Sequence, residues 1–426
     1  MRAITRRGVL LGATGVAAAG GLAPPVHAAD KPGKLTILAH RVHQLVCTEG
    51  PAGDATKPWR EQNGIALEWV TLDLNAIRDR LMREASLSHT DINVGFLLNT
   101  AAVPEALALF EPLDPFMQAT PIEDPDDISA GFMQAFAYKG VQYGMPFRQA
   151  VNALHWNAAL FNERGVEAPA NTIDSFLDVA RKLSFTNKDG TRVYAFAAEG
   201  DNYTVMVTMA RAYGGDLITE DYRVLADQPG MIEALKLLRA MYQEKLVPPN
   251  ITAMSQNDLI GAMQQGQVAM EQFPFGRTVL FNDPKSSKYP GQFKLAMFPG
   301  KNLGDVVSTA EFWGMVIPKT AAAKDWSWSL MRDLVSKQNT VMETINGNGP
   351  VRVSAYSAPE IVRQIPYAAM EAQALKAARV PMPAFAKAAQ AKDICVEEMQ
   401  AAMLGMKTPE QAGKSMAQRL RPLMPA

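Results

Sequence analysis

The feature that most constrains the fold is an alternation of strand-like and helix-like segments near the start of the chain. Three short apolar runs have strand character: KLTILA (34–39), IALEWVTL (65–72) and INVGFLL (92–98). Between the second and third runs, apolar residues recur at helical spacing, at Leu74, Ile77, Leu81 and Ala85. Such an alternation predicts an α/β fold, in which helices cover the faces of a parallel sheet.

The ends of the predicted strands indicate where a ligand would bind. Open parallel sheets bind ligands at the carboxyl ends of their strands. His40 and Arg41 follow the first strand, and Asn99 follows the third, so we expect these residues at a site. His40 and His43 have the spacing of a metal pair, but no third ligand is evident. No metal and no cofactor is therefore predicted.

The rest of the chain repeats the alternation around a helix-rich block. Helices are predicted to begin at Thr172, near Pro229 and at Thr408, where Thr408-Pro409-Glu410-Gln411 has the form of a capping box. Short strands are predicted at 268–271, 293–298 and 312–318. A chain that runs through two lobes and back accounts for this order.

Residues 1–28 predict export from the cytoplasm. Arg6 and Arg7 precede a modest apolar run that ends in small residues at Val26-His27-Ala28. This is the pattern of a twin-arginine signal, and an ordinary secretory leader that contains the two arginines is the alternative. No cysteine lies near the predicted cut, so we expect an unanchored protein in the periplasm.

Composition excludes several classes of protein. Hydrophobic residues make up 48% and charged residues 20% of the chain, as in ordinary soluble globular proteins. Lysines and arginines number 42 against 43 acidic residues, so there is no basic excess for nucleic acid. After the leader, no uncharged apolar run approaches the roughly 18 residues of a membrane span. The two cysteines, Cys47 and Cys395, are expected to be free and buried rather than paired.

Ordered segments across residues 34–420 resemble a known family. GVQYGMPF (140–147) is similar to a G-x-x-Y-G-x-P segment, and LHWN (154–157) with LF (160–161) to an L-Y-Y-N-x-x-L-F strand. The helix after Thr172 resembles T-W-D-E-F-x-x-x-A-x-K-L, and the match continues through YGGD (213–216), FWG (312–314), IPK (317–319) and GPVR (349–352). The family is that of the extracellular solute-binding proteins of ABC importers, in its carbohydrate-binding, maltose-binding-protein-like group (family 1).

The resemblance implies a two-lobe periplasmic binding protein fold, type II-like. Each lobe would be a mainly parallel sheet flanked by helices, and the chain would cross the hinge more than once. Residues 29–147 plus 311–357 would form lobe one, and residues 148–310 plus 358–426 lobe two. The implied function is capture of a sugar or polyol in the cleft by a monomer that delivers it to the transmembrane permease of an ABC transporter. The protein would not be an enzyme.

A polyhydroxylated ligand offers hydroxyl groups and faces of C–H bonds. The complementary surface combines aromatic rings with carboxylates, amides and arginines. From the strand ends and the matched segments, the predicted ligand-binding residues are His40, Arg41, Asn99, Arg148, Trp156, Asn202, Tyr203, Glu271, Phe273, Glu311, Phe312, Trp313 and Arg352. Departures from the family pattern, such as His155 in place of a tyrosine, argue against transferring the specificity of any one member.

Two alternatives remain open at this point. Arg41, Arg148, Arg277 and Arg352 would suit an anionic solute on the same fold, such as a sugar acid or a phosphorylated polyol, because guanidinium groups bind carboxylate and phosphate in a bidentate manner. A secreted carbohydrate-active enzyme is the minor alternative. The sequence contains no nucleophile elbow, H-E-x-x-H or Walker loop, and paired carboxylates alone do not identify a glycosidase.

Overall fold

The computed structural model describes residues 31–425, so the predicted export signal lies outside the described residues. The strands are β1 (Lys34–His40), β2 (Ala66–Leu72), β3 (Ile92–Leu98), β4 (Ala137–Tyr138), β5 (Val141–Gln142), β6 (Met145–Asn157), β7 (Phe185–Thr186), β8 (Arg192–Ala197), β9 (Val268–Pro274), β10 (Phe293–Ala296), β11 (Phe298–Pro299), β12 (Val306–Val307) and β13 (Ala310–Val316). The three predicted opening strands are confirmed. They pair in parallel in the order β2-β1-β3.

Helices surround these strands on both sides. They are α1 (Arg41–Thr48), α2 (Lys57–Asn63), α3 (Leu74–Ala85), α4 (Pro104–Leu107), α5 (Asp114–Ala119), α6 (Ala130–Gln134), α7 (Ala158–Glu163), α8 (Phe176–Lys182), α9 (Thr204–Ala212), α10 (Pro229–Gln243), α11 (Gln256–Gln264), α12 (Thr278–Phe281), α13 (Lys324–Leu334), α14 (Lys337–Ile345), α15 (Pro359–Gln364), α16 (Ala368–Ala377), α17 (Ala388–Met403) and α18 (Pro409–Leu420). The predicted helices after Leu74, near Pro229 and at Thr408 are confirmed. After Thr172 the first turn is a 3₁₀ turn, and the α-helix begins only at Phe176.

Local capping chemistry explains where the last helix begins. The hydroxyl of Thr408 accepts a hydrogen bond from the N–H of Gln411 at 3.1 Å, and the Gln411 side chain accepts one from the N–H of Thr408 at 2.9 Å. These reciprocal bonds satisfy two N–H groups that the first turn of a helix leaves without partners. Pro409 occupies the first helical position, where it loses no hydrogen bond.

Strand β6 joins the two halves of the molecule. It is 13 residues long. Its first half pairs with β13, where Arg148 lies opposite Trp313, and its second half pairs with β9, where His155 lies opposite Glu271. A single sheet therefore runs through both halves in the order β2-β1-β3-β13-β6-β9-β8-β7.

Strand direction differs between the two ends of this sheet. The first three strands are parallel, as expected. In the second half only β8 and β9 pair in parallel, whereas β6 is antiparallel to both β9 and β10, and β7 to β8. The expectation of a mainly parallel sheet therefore does not hold there. The reason is that β6 enters the second half from the first and runs against its neighbours.

Separate hydrophobic cores lie on either side of the crossing strands. One contains Ile37, Phe96 and Trp328, and the other contains Met206 and Met416. A smaller cluster packs where β6 and β13 cross; it includes Val151, Phe275, Ala310, Ile361 and Tyr367. The two larger cores define a first lobe, built on β1–β3, and a second lobe, built on β8 and β9.

The two cysteines lie in different cores. Cys47 is buried in the first lobe and Cys395 in the second, and both are free thiols. The prediction of two free, buried cysteines is confirmed.

Candidate functional site

The carboxyl ends of the parallel strands carry polar residues in both lobes. In the first lobe, β1 ends at His40 and Asn99 follows β3. In the second lobe, Glu199 follows β8 and Arg277 follows β9. Parallel neighbours end at the same edge of a sheet, so each lobe brings its pair together. The positive charge of Arg277 contributes to lowering the pKa of His40, so the two edges lie within electrostatic reach of each other.

His40 is held uncharged at the start of α1. Its Nδ1 accepts a hydrogen bond from the N–H of Val42 at 3.2 Å, which caps the helix. Burial, and then the charges of Arg277 and Arg148, lower the pKa of His40 to about 3. At neutral pH the ring therefore presents a neutral Nε2–H donor.

Behind His40, aromatic rings form the wall of the first lobe. The ring of His43 stacks on Phe96 at 4.3 Å between centroids and meets the edge of Trp313 at 4.7 Å. Both ring nitrogens of His43 are buried without a hydrogen-bond partner. Burial lowers the pKa of His43 well below its usual value, so this ring is also neutral.

Glu271 is the acidic group at the edge of the second lobe. Its side chain is buried on β9, and neither carboxylate oxygen has a hydrogen-bond partner. Burial, and then the negative charge of Glu199, raise the pKa of Glu271 well above its usual value. Glu199 itself accepts a hydrogen bond from the Gln256 side chain at 2.9 Å.

Glu311 lies on β13, where the chain crosses between the lobes. It is half-buried, and burial raises its pKa to about 7. Lys392 opposes this shift, and the carboxylates of Glu199 and Asp201 add to it. The charge of Glu311 in turn helps to raise the pKa of the buried Tyr203. These five groups from both sides of the crossing therefore share one electrostatic environment.

Two buried arginines complete the group. Arg148 lies on β6, and Arg277 ends the turn that follows β9. The Nε atom of each is buried without a hydrogen-bond partner. Burial, and then the charge of Arg277, lower the pKa of Arg148, as expected for like charges held near each other.

Close backbone approaches bring the turn after β9 against the first lobe. A Cβ atom on Gly276 would lie 2.0 Å from the carbonyl oxygen of Gly347, which follows α14. A Cβ atom on Gly349 would lie 2.0 Å from the carbonyl oxygen of Gln149 on β6. Only glycine fits at these two positions, so backbone lies directly against backbone at Gly276, beside Arg277, and at Gly349, beside β6.

Three predicted site residues serve internal packing instead, and we leave them out of the site. Trp156 lies in the core of the second lobe, 4.7 Å from the Phe161 ring. Phe273 is buried against Phe281 in the same lobe. Arg352 uses its guanidinium to bind backbone carbonyl groups and the carboxylate of Asp127 in its own lobe. Their residue types suited a ligand, but the tertiary structure surrounds each with protein atoms.

The remaining predicted residues border the crossing strands in different ways. The Asn99 side chain accepts a hydrogen bond from the N–H of Phe312 at 2.9 Å, which ties β13 to the end of β3. The Phe312 ring packs on Phe132 at 4.6 Å. The Asn202 side chain accepts from the N–H of Thr204 at 3.0 Å and so orders the start of α9. Arg41 is exposed.

The sequence did not predict Glu199 or Lys392 as site residues. It indicated His43 only as part of a possible metal pair and not as a ligand contact. A usable signal existed for Glu199, because it lies two residues after the end of β8, near the strand end as Asn99 is near that of β3. The rule that directed attention to strand ends in the first lobe applies equally to the second. Lys392 lies on α17, almost two hundred positions after Glu199, and no local pattern connects them.

The arrangement is suited to binding rather than to holding a metal. Buried polar groups in folded proteins nearly always have hydrogen-bond partners, so a cluster without them indicates a place for a visiting molecule or water. Across residues 31–425, no group of three or more His, Cys, Asp or Glu side chains could hold a metal ion. Nor does that part of the chain contain a helix long and apolar enough to cross a membrane.

Known binding proteins are similar to this chain in sequence. A putative binding protein of Brucella abortus (strain 2308) is 25% identical over 219 residues, which are 49% of this chain and 50% of that protein. The chain thus matches about half the length of this relative. A probable amino-acid ABC transporter periplasmic-binding protein of Sinorhizobium fredii is 22% identical over 409 residues, 91% of this chain and 90% of that protein.

Solved structures share the fold. Maltose-bound MalE3 of T. maritima has a TM-score of 0.79 at 20% identity, covering 92% of this chain and 100% of that one. An ABC transporter solute-binding protein of Agrobacterium radiobacter K84, in complex with ribitol, has a TM-score of 0.78 at 19% identity, covering 92% and 98%. The fold is therefore the two-lobe periplasmic binding protein fold.

The family follows from a match that spans both lobes. The model of the bacterial extracellular solute-binding proteins matches residues 55–340, which include β3, β6, β9 and β13. This stretch is well over half of the chain and carries most of the polar cluster between the lobes. The chain belongs to the family of bacterial extracellular solute-binding proteins.

Proposed function

We propose that this protein is the periplasmic binding component of an ABC transporter and captures a sugar or sugar-like polyol between its lobes. The observation that carries the proposal is the set of buried, unpartnered polar atoms on His43, Arg148, Glu271 and Arg277. A hydroxyl group both donates and accepts, so a polyhydroxylated solute satisfies carboxylates and guanidinium groups alike. The two structural neighbours named above hold maltose and ribitol.

The proposed site adds newly found residues to those expected from sequence. It consists of His40, Arg41, His43, Asn99, Arg148, Glu199, Asn202, Tyr203, Glu271, Arg277, Glu311, Phe312 and Trp313. Trp313 supplies an aromatic ring beside Arg148, which faces it across β6 and β13. Rings of this kind pack against the C–H faces of sugars, while the surrounding charged groups form the stronger hydrogen bonds.

The proposed mechanism is capture by closure, without chemistry. We infer that residues 29–147 plus 311–357 move against residues 148–310 plus 358–426, with β6 and β13 as the flexing crossings. A ligand that contacts both lobes favours the closed form by its differential affinity. A shift from 1:99 to 99:1 requires about 5.5 kcal/mol. The closed protein then delivers its solute to a membrane permease.

A thermal-shift screen of the mature chain tests the proposed ligand class. The panel contains sugars, polyols, sugar acids and amino acids, the last because of the name of the Sinorhizobium relative. A true ligand at 100 times its dissociation constant stabilises the native state by about 2.7 kcal/mol, which raises the melting temperature. We expect a response to at least one polyhydroxylated compound. A response to amino acids alone would overturn the proposal.

A matched pair of variants tests the site itself. Glu271→Gln changes the unpartnered buried carboxylate, and we expect at least a tenfold loss of affinity for the solute found in the screen. Glu68→Gln changes an exposed carboxylate of β2 and serves as the control, with unchanged affinity. Chromatography of the recovered ligand tests the absence of catalysis. Equal losses in both variants, or a ligand recovered in altered form, would contradict the proposal.

A further inference from the structure

Arg148 and Arg277 are the most unusual pair of side chains between the lobes. Both are almost completely buried, at 2% and 5% exposure. Arg148 comes from the crossing strand β6, and Arg277 from the turn that lies against the backbone of Gly347. The charge of Arg277 acts on Arg148 through space, so the two guanidinium groups lie within electrostatic reach of each other although they come from different elements.

These two arginines lack the partners that buried arginines normally have. A guanidinium carries five N–H donors. Within residues 31–425, Arg148 has no hydrogen bond or ion pair, and Arg277 has one long contact, from Nη2 to the Gln256 side chain at 3.4 Å. The same fold pairs Arg211 fully: its guanidinium binds Asp216 at 3.0 Å and the carbonyl oxygen of Val380 at 2.7 Å.

The nearby carboxylates do not supply the missing partners. Glu371 acts on Arg148 through space only, and its own oxygen accepts from Gln149 at 2.8 Å. Glu199 and Glu271 act on Arg277 through space, and neither forms a hydrogen bond with it. Burial also raises the pKa of Glu271 well above its usual value, which disfavours its charged form. The positive charge of the two arginines thus stays incompletely compensated by the protein.

Charge and geometry together select the chemistry of the missing partner. A hydroxyl group fills one or two of the free N–H positions but leaves the buried positive charge uncompensated. A carboxylate or phosphate offers two or more oxygens and a negative charge, and it binds guanidinium groups in a bidentate manner.

We propose that the solute carries an anionic group, a carboxylate or a phosphate, which lies between Arg148 and Arg277. Within the proposed function, the ligand is therefore an acidic polyhydroxylated compound, such as a sugar acid or a polyol phosphate, rather than a neutral sugar. The hydroxyl groups of the same molecule reach Glu199, Glu311 and the Trp313 wall. The inference rests on the proposed function and narrows its substrate class.

Titration calorimetry with matched ligands tests this inference. The panel contains ribitol, D-mannitol and D-glucitol, the aldonic acids of the same carbon chains, and their terminal phosphates. We expect at least one acid or phosphate to bind about thirty-fold or more tightly than its neutral counterpart. Comparison of the carboxylate and phosphate arms identifies which anion the site takes. Equal or tighter binding of the neutral polyols would overturn the inference and leave the proposed function standing. Failure of every polyhydroxylated compound would overturn both.

Two variants test the positions of the charges. Arg148→Met and Arg277→Met retain most of the side-chain volume and remove the guanidinium group. We expect each to lose the preference for the acidic ligand over its neutral counterpart, while Arg223→Met, on an exposed turn of the second lobe, retains it. Each site variant should unfold at or above the wild-type temperature without ligand, because an uncompensated buried charge has been removed. A preference for the acidic ligand that survives in both site variants would refute the assignment.

Discussion

Two buried arginines in this protein have opposite surroundings. Arg352 and Arg148 are 1% and 2% exposed. The Arg352 guanidinium donates to the carbonyl oxygens of Val335 at 2.6 Å and Asp124 at 3.0 Å, and it forms an ion pair with Asp127 at 3.3 Å. Arg148 has no such bond anywhere in the described part of the chain. The first region uses a buried charge to hold a lobe together, and the second leaves a buried charge that no described residue binds.

Two buried glutamates repeat the contrast. Glu398, on α17, is 0% exposed and is bound by Lys407 at 2.6 Å, Ser415 at 2.6 Å and Arg419 at 2.8 Å. These bonds keep its pKa below the usual value despite its burial. Glu271, 1% exposed, has no partner and a strongly raised pKa. Burial alone therefore does not separate the two glutamates, and the difference between them lies in whether protein groups bind the buried carboxylate.

The largest expected effect is on stability, and it tests the structural role of Arg352. Arg352→Met should lower the free energy of unfolding by about 3–5 kcal/mol, because it removes the ion-pair partner of Asp127 and leaves the buried carbonyl group of Val335 without its donor. Arg148→Met is the matched variant, since both positions are equally buried, and it should show no such loss. Urea denaturation of the ligand-free proteins measures both. Equal destabilisation would show that Arg148 is structural, and the contrast would fail.

A second prediction concerns the backbone contact beside Arg277. Gly276→Ala places a methyl group 2.0 Å from the carbonyl oxygen of Gly347, a clash with backbone that cannot easily yield. We expect a cost of about 1–3 kcal/mol in ligand binding, with a larger scattering radius in the presence of ligand. The control is Gly261→Ala on α11, where a Cβ atom meets nothing within 4 Å. An unchanged affinity in Gly276→Ala would mean that this contact does not accompany binding.

A third prediction uses pH to test the crossing strand. The folded protein holds a proton on Glu311 more tightly than the unfolded chain does, because its pKa rises from 4.5 to about 7. Stability from this group is therefore lost as pH rises between about 4.5 and 7. In Glu311→Gln the free energy of unfolding should fall less steeply between pH 4.5 and 7. We expect the difference from wild type to be on the order of 1 kcal/mol, after allowance for solvent screening.

The comparison of wild type and variant removes the opposite contribution of His40. Its pKa is lowered to about 3, so it favours the folded state as pH rises from about 3 to 6.5 in both proteins. Denaturation curves at pH 5 and pH 8 measure the difference. Parallel pH profiles for the two proteins would exclude a perturbed carboxyl group at position 311.

The smallest expected effect concerns a charge that has partners but is exposed to solvent. Arg181 donates to Glu244 at 2.7 and 2.8 Å and to Asp178 at 2.8 Å, but its side chain is 48% exposed. Ion pairs in water contribute little to stability, because solvent screens them. Arg181→Met should therefore leave the urea midpoint almost unchanged. A loss comparable to that of Arg352→Met would show that pairing, rather than burial with pairing, decides the effect.

Local patterns in the sequence determined most of the secondary structure and the family. The strands at 34–39, 65–72 and 92–98 follow from apolar runs, and the start of α18 follows from its capping box. Such features depend on residues a few positions apart, so they can be predicted from the sequence alone. The strand-end rule likewise led to His40 and Asn99.

Only the tertiary structure decided which of the predicted side chains have partners within the protein. Trp156 and Trp313 look alike in sequence and both pack in the core of a lobe, but only Trp313 lies beside the unpartnered Arg148. Arg352 and Arg148 differ because residues 123–127, more than 220 positions away, fold onto the first and not the second. Whether a buried polar group has a hydrogen-bond partner depends on residues from distant parts of the chain. Local sequence patterns contain no information about these distant residues.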